Sequence, residues 1–389
     1  MAKQQQRDGS LAAAKELSEN RDRRARESER EGKKVIGYFH CFVPLEILTA
    51  ANILPFRIMG NPKEPITIAN AYIDPANCPY LKSCFDVAMK GGYDFLKGWT
   101  TPDSCDNMVN FNMVWNYNVS LSWRHWVNVP NCLYEESFTF FKEELAIFKR
   151  RVEELIGGKI SDEDIHRAID LHNEQRALLR ELYEFRKPDP PLIDGSEVLQ
   201  VMIALTSLPV DEANELLKGV VRDVGRRSNS RQKKTRLLVW GPEMDNPAFL
   251  RLIEECGGNV VVDDLCLGTR YFWHNVEKTP DPLDGLSARY LGKVVCPRMI
   301  RGKGEGGAAR EQDLEDRFGH IGRLARDFSV DGVILYVMKY CDLHEFDVPD
   351  LRDYLTKKGL PVLHLETDYS TTAWAGLRTR IEAFIETIP

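Results

Sequence analysis

Cys78, Cys105 and Cys341 are the residues whose type and setting promise chemistry. Each is followed at once by a helix- or turn-starting residue, as Cys78-Pro79, Cys105-Asp106 and Cys341-Asp342. A helix N-terminus favours a thiolate, the form of cysteine that binds metal or attacks carbon. Cys105 and Cys341 also occupy matching places in a repeated pattern. Asp331-Gly-Val-Ile-Leu-Tyr-Val-Met-Lys-Tyr-Cys341-Asp342 and Asp94-Phe-Leu-Lys-Gly-Trp-Thr-Thr-Pro-Asp-Ser-Cys105-Asp106 both read as Asp, a short apolar run, then Cys-Asp. A cysteine at the carboxyl end of a parallel strand points into the crevice where open α/β sheets bind ligands.

The other six cysteines carry weaker signals. Cys132 and Cys256 sit in apolar context and read as small core residues. Cys266 and Cys296 lie at strand ends without an evident partner and read as structural. Cys84, six residues beyond Cys78, points away from it on a helix. Cys41 follows His40 at the end of the first strand candidate. Nine cysteines are an odd number, and no Cys-x-x-Cys pair exists. Neither a disulfide framework nor zinc-ribbon or ferredoxin spacing is therefore expected.

The elements that must hold these residues alternate between strand and helix. Strand candidates are Val35 to Phe39, Leu54 to Met59, Val127 to Leu133, Arg236 to Trp240, Asn259 to Val262, Val333 to Val337 and Gly359 to Leu365. Helices are expected between them, with a capping box at Ser161 to Asp164 and long final helices over 138–156 and 372–388. Each half has a strand with a polar loop and a helix, the Asp-strand-Cys-Asp unit, then a Pro-containing strand and a final helix. The expected fold class is α/β: two similar domains, each a parallel sheet flanked by helices, with a helical connector and an N-terminal helical arm. The expected boundaries are 1–34 for the arm, 35–190 for the first α/β domain with its helical extension, and 191–389 for the connector and second domain. Facing domains would bring both strand-end crevices together, and the active site belongs there.

Composition narrows the class. At 389 residues, two domains are the natural prior. With 43% hydrophobic and 29% charged residues the chain reads as globular, and no apolar run approaches the roughly 20 residues of a membrane helix. The polar N-terminus carries no secretory signal, so the cytoplasm is the expected compartment and no membrane partner is expected. A net charge of −7 argues against nucleic acid, and the basic residues of 21–34 are interleaved with acidic ones, as on a solvated or docking helix. No Gly-x-x-x-x-Gly-Lys-Ser/Thr occurs, and Gly302-Lys-Gly-Glu-Gly-Gly307 lacks the Lys-Ser/Thr ending, so the chain is not expected to bind ATP.

From residue 35 on, the chain resembles the subunits of 2-hydroxyacyl-CoA dehydratases and ATP-dependent benzoyl-CoA reductases. The resemblance rests on Phe42-Val-Pro44-Leu-Glu46-Ile-Leu with Ala51 and Leu54-Pro55, Asn77-Cys78-Pro79-Tyr80, Ser104-Cys105-Asp106, Gly257-Gly258 with Val261-Val262-Asp263-Asp264, Gly268-Thr-Arg270, and Asp331-Gly-Val-Ile with Cys341-Asp342. It implies a four-iron–four-sulfur cluster, [4Fe–4S], held by three cysteines with one iron open to a small ligand. Cys78, Cys105 and Cys341 match the ligand positions, and Cys84 is an alternative to Cys78. Cys41 falls where the family places a small polar residue beside the open iron; standing near the iron is preferred to a role as fourth ligand.

The same resemblance implies the chemistry and the partners. A separate ATP-hydrolysing iron–sulfur protein injects an electron at very low potential, and a CoA thioester is reduced to a radical anion. His40 and Glu46 are then the expected proton-handling residues beside Cys41. Arg270, Arg298 and Arg301 are the expected contacts for the CoA phosphates. Trp115, Tyr117, Trp123 and Trp126 are expected to line a flat pocket for an aromatic acyl group, which favours the smaller cluster-bearing subunit of a benzoyl-CoA reductase, paired with a homologous subunit. The runner-up is one of the subunits of an (R)-2-hydroxyacyl-CoA dehydratase. A cluster-free structural partner is the non-enzymatic alternative; under it Cys105→Ala would leave complex activity intact.

Overall fold

The structure, a computed structural model, describes residues 9–228, 232–301, 309–370 and 374–388. The glycine-rich segment 302–307 lies outside the described residues. Among the described residues the strands are β1 (Val35–Tyr38), β2 (Leu54–Arg57), β3 (Gly98–Pro102), β4 (Trp123–Val127), β5 (Thr235–Trp240), β6 (Gly258–Asp264), β7 (Gly332–Met338) and β8 (Val362–Thr367). They form two four-stranded sheets, ordered β2-β1-β3-β4 and β6-β5-β7-β8. Every neighbouring pair is parallel. Counted within its own half, each sheet has the same strand order, as the repeated sequence pattern implied. All residues of β1, β2, β3, β6 and β7 are buried. For β1 and β7 that matches a near-continuous apolar run, whereas β3 and β6 also bury Thr100, Thr101, Asp263 and Asp264.

Two strand expectations shift. The fourth strand runs Trp123–Val127 and ends before Pro130, which has no N–H to give a ladder. The last begins at Val362, just past Pro361. Glycine is required where β3 meets β4: a Cβ on Gly98 would collide with the Trp123 carbonyl oxygen.

Helices Gly9–Glu19 and Asp22–Arg30 form the N-terminal arm. Its mixed charges resolve into ion pairs, Arg24 with Glu212 and Arg26 with Asp94. The Ser161 capping box forms as read: its Oγ accepts from Asp164 N at 3.1 Å. Asp162–Glu184, Gly195–Leu205 and Val210–Gly225 follow as the intervening helices. One apolar core runs from Val35, Leu54 and Trp99 through Val198, Val201 and Met202 of the Gly195–Leu205 helix to Leu237, Val262 and Val333, so the two sheets share an interior. Among the described residues no helix is long and apolar enough to cross a membrane.

In each sheet the order of growth reverses between the two central strands, β1 and β3 or β5 and β7. Open α/β sheets bind ligands outside the carboxyl ends of such strands. The loops at issue are Phe39–Cys41, Asp103–Cys105, Gly241–Glu243 and Lys339–Cys341.

Candidate metal centre between the two sheets

Those loops meet around one cavity of about 380 Å³. The first half contributes His40, Cys78, Asp103 and Cys105 to its wall; the second contributes Glu243, Cys266, Cys296, Arg298, Cys341 and His344. Asn107 Nδ2 donates across the gap to the Tyr340 carbonyl at 2.7 Å, and Arg298 pairs with Asp103 at 3.1 Å. The two crevices thus open into a single space.

Cys78, Cys105 and Cys341 come together here from three separate places in the chain. Each is the residue immediately before a helix: Pro79–Met89, Asp106–Asn118 and Asp342–Lys357. Burial pushes the Cys78 thiol up to about 11, against the pull of the Leu81 and Tyr80 amides. Burial likewise takes Cys105 to about 12, with the Met108 amide opposing. Cys341 is raised well above the ordinary thiol range by burial and then by its neighbours Cys78 and Cys105. Without a cation the three thiols hold their protons, and a metal must displace them to bind.

Their spacing tests the kind of group they fit. All three line the same cavity, and the Cys78 and Cys105 sulfurs are close enough to raise the Cys341 thiol by their charge. A multi-iron cluster binds one cysteine per iron and wants its sulfurs spread. Three soft, half-buried, unbridged thiols on a shared cavity fit such a cluster.

A second set of donors stands alongside. His40 (φ 63°) is held in the left-handed region at the end of β1 and stacks on Phe42 with ring centroids 4.9 Å apart. Its Nδ1 lies 3.6 Å from the Cys41 sulfur; its Nε2 lies 3.5 Å from Cys266 and 4.0 Å from Cys296. Donor atoms of His40, Cys41 and Cys266 all fall within 4.8 Å of one another. The Cys41 hydrogen bond, with the His40 and Arg270 charges, holds the Cys266 thiol well below its ordinary range despite burial. Burial alone would discharge His40, but the Cys266 sulfur raises the ring to about 10. The opposite directions of the two shifts favour a thiolate on Cys266 beside a charged His40, the arrangement from which a cysteine binds metal or acts as a nucleophile.

The remaining expected residues divide. Glu46 is off the cavity and fully buried; its oxygens accept from Arg176 Nη2 at 2.6 Å and Tyr290 Oη at 2.7 Å. Burial favours its neutral form, but Arg176 keeps the carboxyl down at about 2, which suits an ion pair and not a proton carrier. Arg270 is also buried. Its Nε and Nη2 donate to Asp264 at 2.9 Å each, so it does not reach outward to a phosphate. Arg298 is on the cavity wall, whereas Arg301 donates to the Gly292 carbonyl away from it. Cys84 lies in the apolar core and not on the wall. The aromatic expectation does not survive. Trp115 is buried in the core against Trp99 and Phe111, Tyr117 is 91% exposed, and none of the four aromatics lines the cavity.

Sequence reasoning missed Cys266, Cys296 and Glu243. Cys266 and Cys296 had their strand-end positions as a signal, but their partner His40 is 226 and 256 residues away. Glu243 sits just past β5, at the second switch point, and pairs with buried Arg57 at 2.5 Å. Burial raises its carboxyl to about 7 even so, with the Arg57 charge working against the shift.

Residues 40–388 match the model of the 2-hydroxyglutaryl-CoA dehydratase D-component. The chain belongs to that family. This family member is 24% identical over 362 residues to the (R)-phenyllactyl-CoA dehydratase beta subunit of Clostridium sporogenes, covering 92% of this chain and 93% of that one. It is 25% identical over 361 residues to one of the benzoyl-CoA reductase subunits of Thauera aromatica, covering 92% and 91%. It is 28% identical over 371 residues to the putative dehydratase subunit YjiM of Escherichia coli, covering 91% of each. These relatives are enzyme subunits of dehydratase and reductase type, so an enzymatic role within a multi-subunit assembly is the coarse conclusion.

Proposed function

We propose that this chain is an iron–sulfur subunit for low-potential one-electron reduction, with Cys78, Cys105 and Cys341 as ligands of a [4Fe–4S] cluster. The carrying observation is the convergence of three helix-leading thiols, from both halves, on one cavity. When bound, the cluster supplies a low-potential electron and an iron that a substrate oxygen can approach. The chain's own residues do the rest. Helix N-termini and the apolar wall of Phe39, Leu81, Met108 and Met338 hold the thiolates away from water. Of the three arginines Arg298 alone stands on the wall, held there by Asp103 and the Val129 and Pro130 carbonyls, so an anionic group at the opening meets it by displacing the Asp103 pair. His40 and Glu243 are the titrating groups on the wall that can hold or move a proton. The electron donor is an ATP-hydrolysing iron–sulfur protein, and a homologous subunit makes up the rest of the assembly.

The substrate class is a CoA thioester. With the aromatic residues away from the cavity, the reason for preferring a ring reductase over a 2-hydroxyacyl-CoA dehydratase is gone. Product analysis with benzoyl-CoA and with (R)-2-hydroxyacyl-CoA on the reconstituted complex decides between them.

A specific observation favours a centre larger than one cubane. Cys41, Cys266 and Cys296 put three more sulfurs around His40 in or against the same wall. Iron and acid-labile sulfide on anaerobically purified protein test both readings. A single cubane gives about four irons per chain, and filling of the second set gives clearly more, with the excess lost in Cys266→Ala. Iron-free protein after careful reconstitution refutes the electron-transfer reading and promotes the structural-partner alternative.

A further inference from the structure

His344 stands on the first turn of the helix that Cys341 leads, and its Nδ1 lies 3.3 Å from the Cys341 sulfur. Its Nε2 lies 3.1 Å from Arg270 Nη1. A guanidinium has N–H donors and no acceptor. Nε2 must therefore present its lone pair, and the single ring proton sits on Nδ1. That N–H points at sulfur.

Arg270 is not free to turn away. Two of its nitrogens are bound to the two oxygens of Asp264, and Nη1 also donates to the Gly241 carbonyl at 3.0 Å. Asp264 is 2% exposed and takes a further contact from His320 Nε2 at 3.2 Å. The His344 ring is packed against Trp240, with centroids 4.9 Å apart. The chain Asp264–Arg270–His344–Cys341 is therefore a fixed series from a buried carboxylate to a candidate ligand.

We propose that Asp264 and Arg270 are positioning residues that lock His344 as an N–H donor to the Cys341 sulfur, and that this hydrogen bond raises the reduction potential of the centre. The potential part rests on the iron–sulfur reading; the tautomer part does not. An N–H donated to a ligand sulfur withdraws negative charge from it, which favours the more negative, reduced cluster. The same proton keeps His344 from binding iron through Nδ1. It also gives buried Arg270 a role in place of the phosphate contact expected from sequence.

The test uses the anaerobically purified full chain and three variants: His344→Leu, which removes the donor; His344→Asn, whose side-chain amide can replace it; and Arg270→Met, which releases the tautomer. Midpoint potentials come from titration with titanium(III) citrate followed by electron paramagnetic resonance. Ring tautomers come from nitrogen-15 NMR of the histidines. The expected result is wild-type iron content in His344→Leu with a midpoint shifted to more negative potential, and recovery toward wild type in His344→Asn. The wild-type ring should carry its proton on Nδ1, and Arg270→Met should show the other tautomer as well. An iron-loaded His344→Leu protein with an unchanged midpoint overturns the potential claim. A wild-type ring protonated on Nε2 overturns the relay whether or not iron is present. Iron-free wild type carrying the Nδ1–H ring instead refutes the cluster reading, and the potential claim with it, while upholding the relay.

Discussion

Replacing Glu46 by Gln separates a structural carboxylate from a proton carrier. Glu46 keeps one oxygen on Arg176 Nη2 and the other on Tyr290 Oη, inside a fully buried pocket. Glutamine preserves the shape and one acceptor but presents an amide N–H where the second acceptor was. Tyr290 can turn to accept from that amide; Arg176, which only donates, keeps a buried charge without its counter-ion. Removing one partner of a buried pair costs about 3–5 kcal/mol. Unfolding entropy of about 2.1 cal/mol/K per residue, taken over 389 residues, converts that to a fall of about 4–6 °C in the thermal midpoint. Calorimetry on Glu46→Gln, Arg176→Met and the double variant measures it. The double variant should recover part of the loss, because the stranded charge is gone. Iron per folded chain should not change. An unchanged midpoint together with lost turnover would refute this reasoning and return Glu46 to the proton path.

Other outcomes follow from the same geometry. Cys84→Ala should keep the iron that Cys105→Ala loses, since Cys84 faces the core; colour and iron content on the two variants decide it. Gly98→Ala places a Cβ against the Trp123 carbonyl and should destabilise the chain by about 1–3 kcal/mol through displacement of β4, read from a denaturant midpoint. Acid should draw on two buried groups in turn. Burial holds His172 neutral down to about 4, from a starting value of 6.5, so the unfolded chain takes up the proton first and stability falls between about pH 6.5 and 4. Glu46, depressed from 4.5 to about 2, gives up its contribution below that. Because the raised Glu243 carboxyl works the other way in this window, the His172 share is read as a difference: wild type should lose more stability between pH 6.5 and 4 than His172→Gln, and equal slopes would contradict the buried, neutral state of His172.

Much of the fold was legible because strand and helix periods are local. The apolar run at 333–337, the turn that follows it and its counterpart near Cys105 foretold two parallel sheets, and Cys105 and Cys341 do stand just past the ends of β3 and β7. Where strands began or stopped depended on Pro130 and Pro361, whose effect on the ladder is clear only once the pairing is known. The first donor set was readable because each cysteine carries its own helix start beside it. The second was not, because His40, Cys266 and Cys296 become neighbours only after the sheets face each other. Arg270 looked like a surface cation because its partner Asp264, six residues earlier, reads in sequence as the end of a strand. Trp115 looked like a pocket wall because composition does not say which side of a helix faces inward.

The facing of two like sheets also sets how metal should act on the molecule. Cys78 and Cys105 belong to the first sheet's loops, Cys341 to the second's, so neither half alone can present the three-thiol set. A bound centre is then a staple across the gap now spanned by Asn107 to Tyr340 and Arg298 to Asp103. Anything that binds only the closed arrangement stabilises it by mass action. Removing the third ligand should therefore loosen the contact between halves before it loosens either sheet. Hydrogen exchange on Cys341→Ala, compared with iron-loaded wild type, should show faster exchange in 103–108 and 339–344. The amides of β2 and β6, at the outer edges of the two sheets, should keep their protection. Equal exchange in the loops of the two proteins would show that the metal does not bridge the halves, and a uniform rise across both sheets would mean that Cys341 serves the core and not the centre.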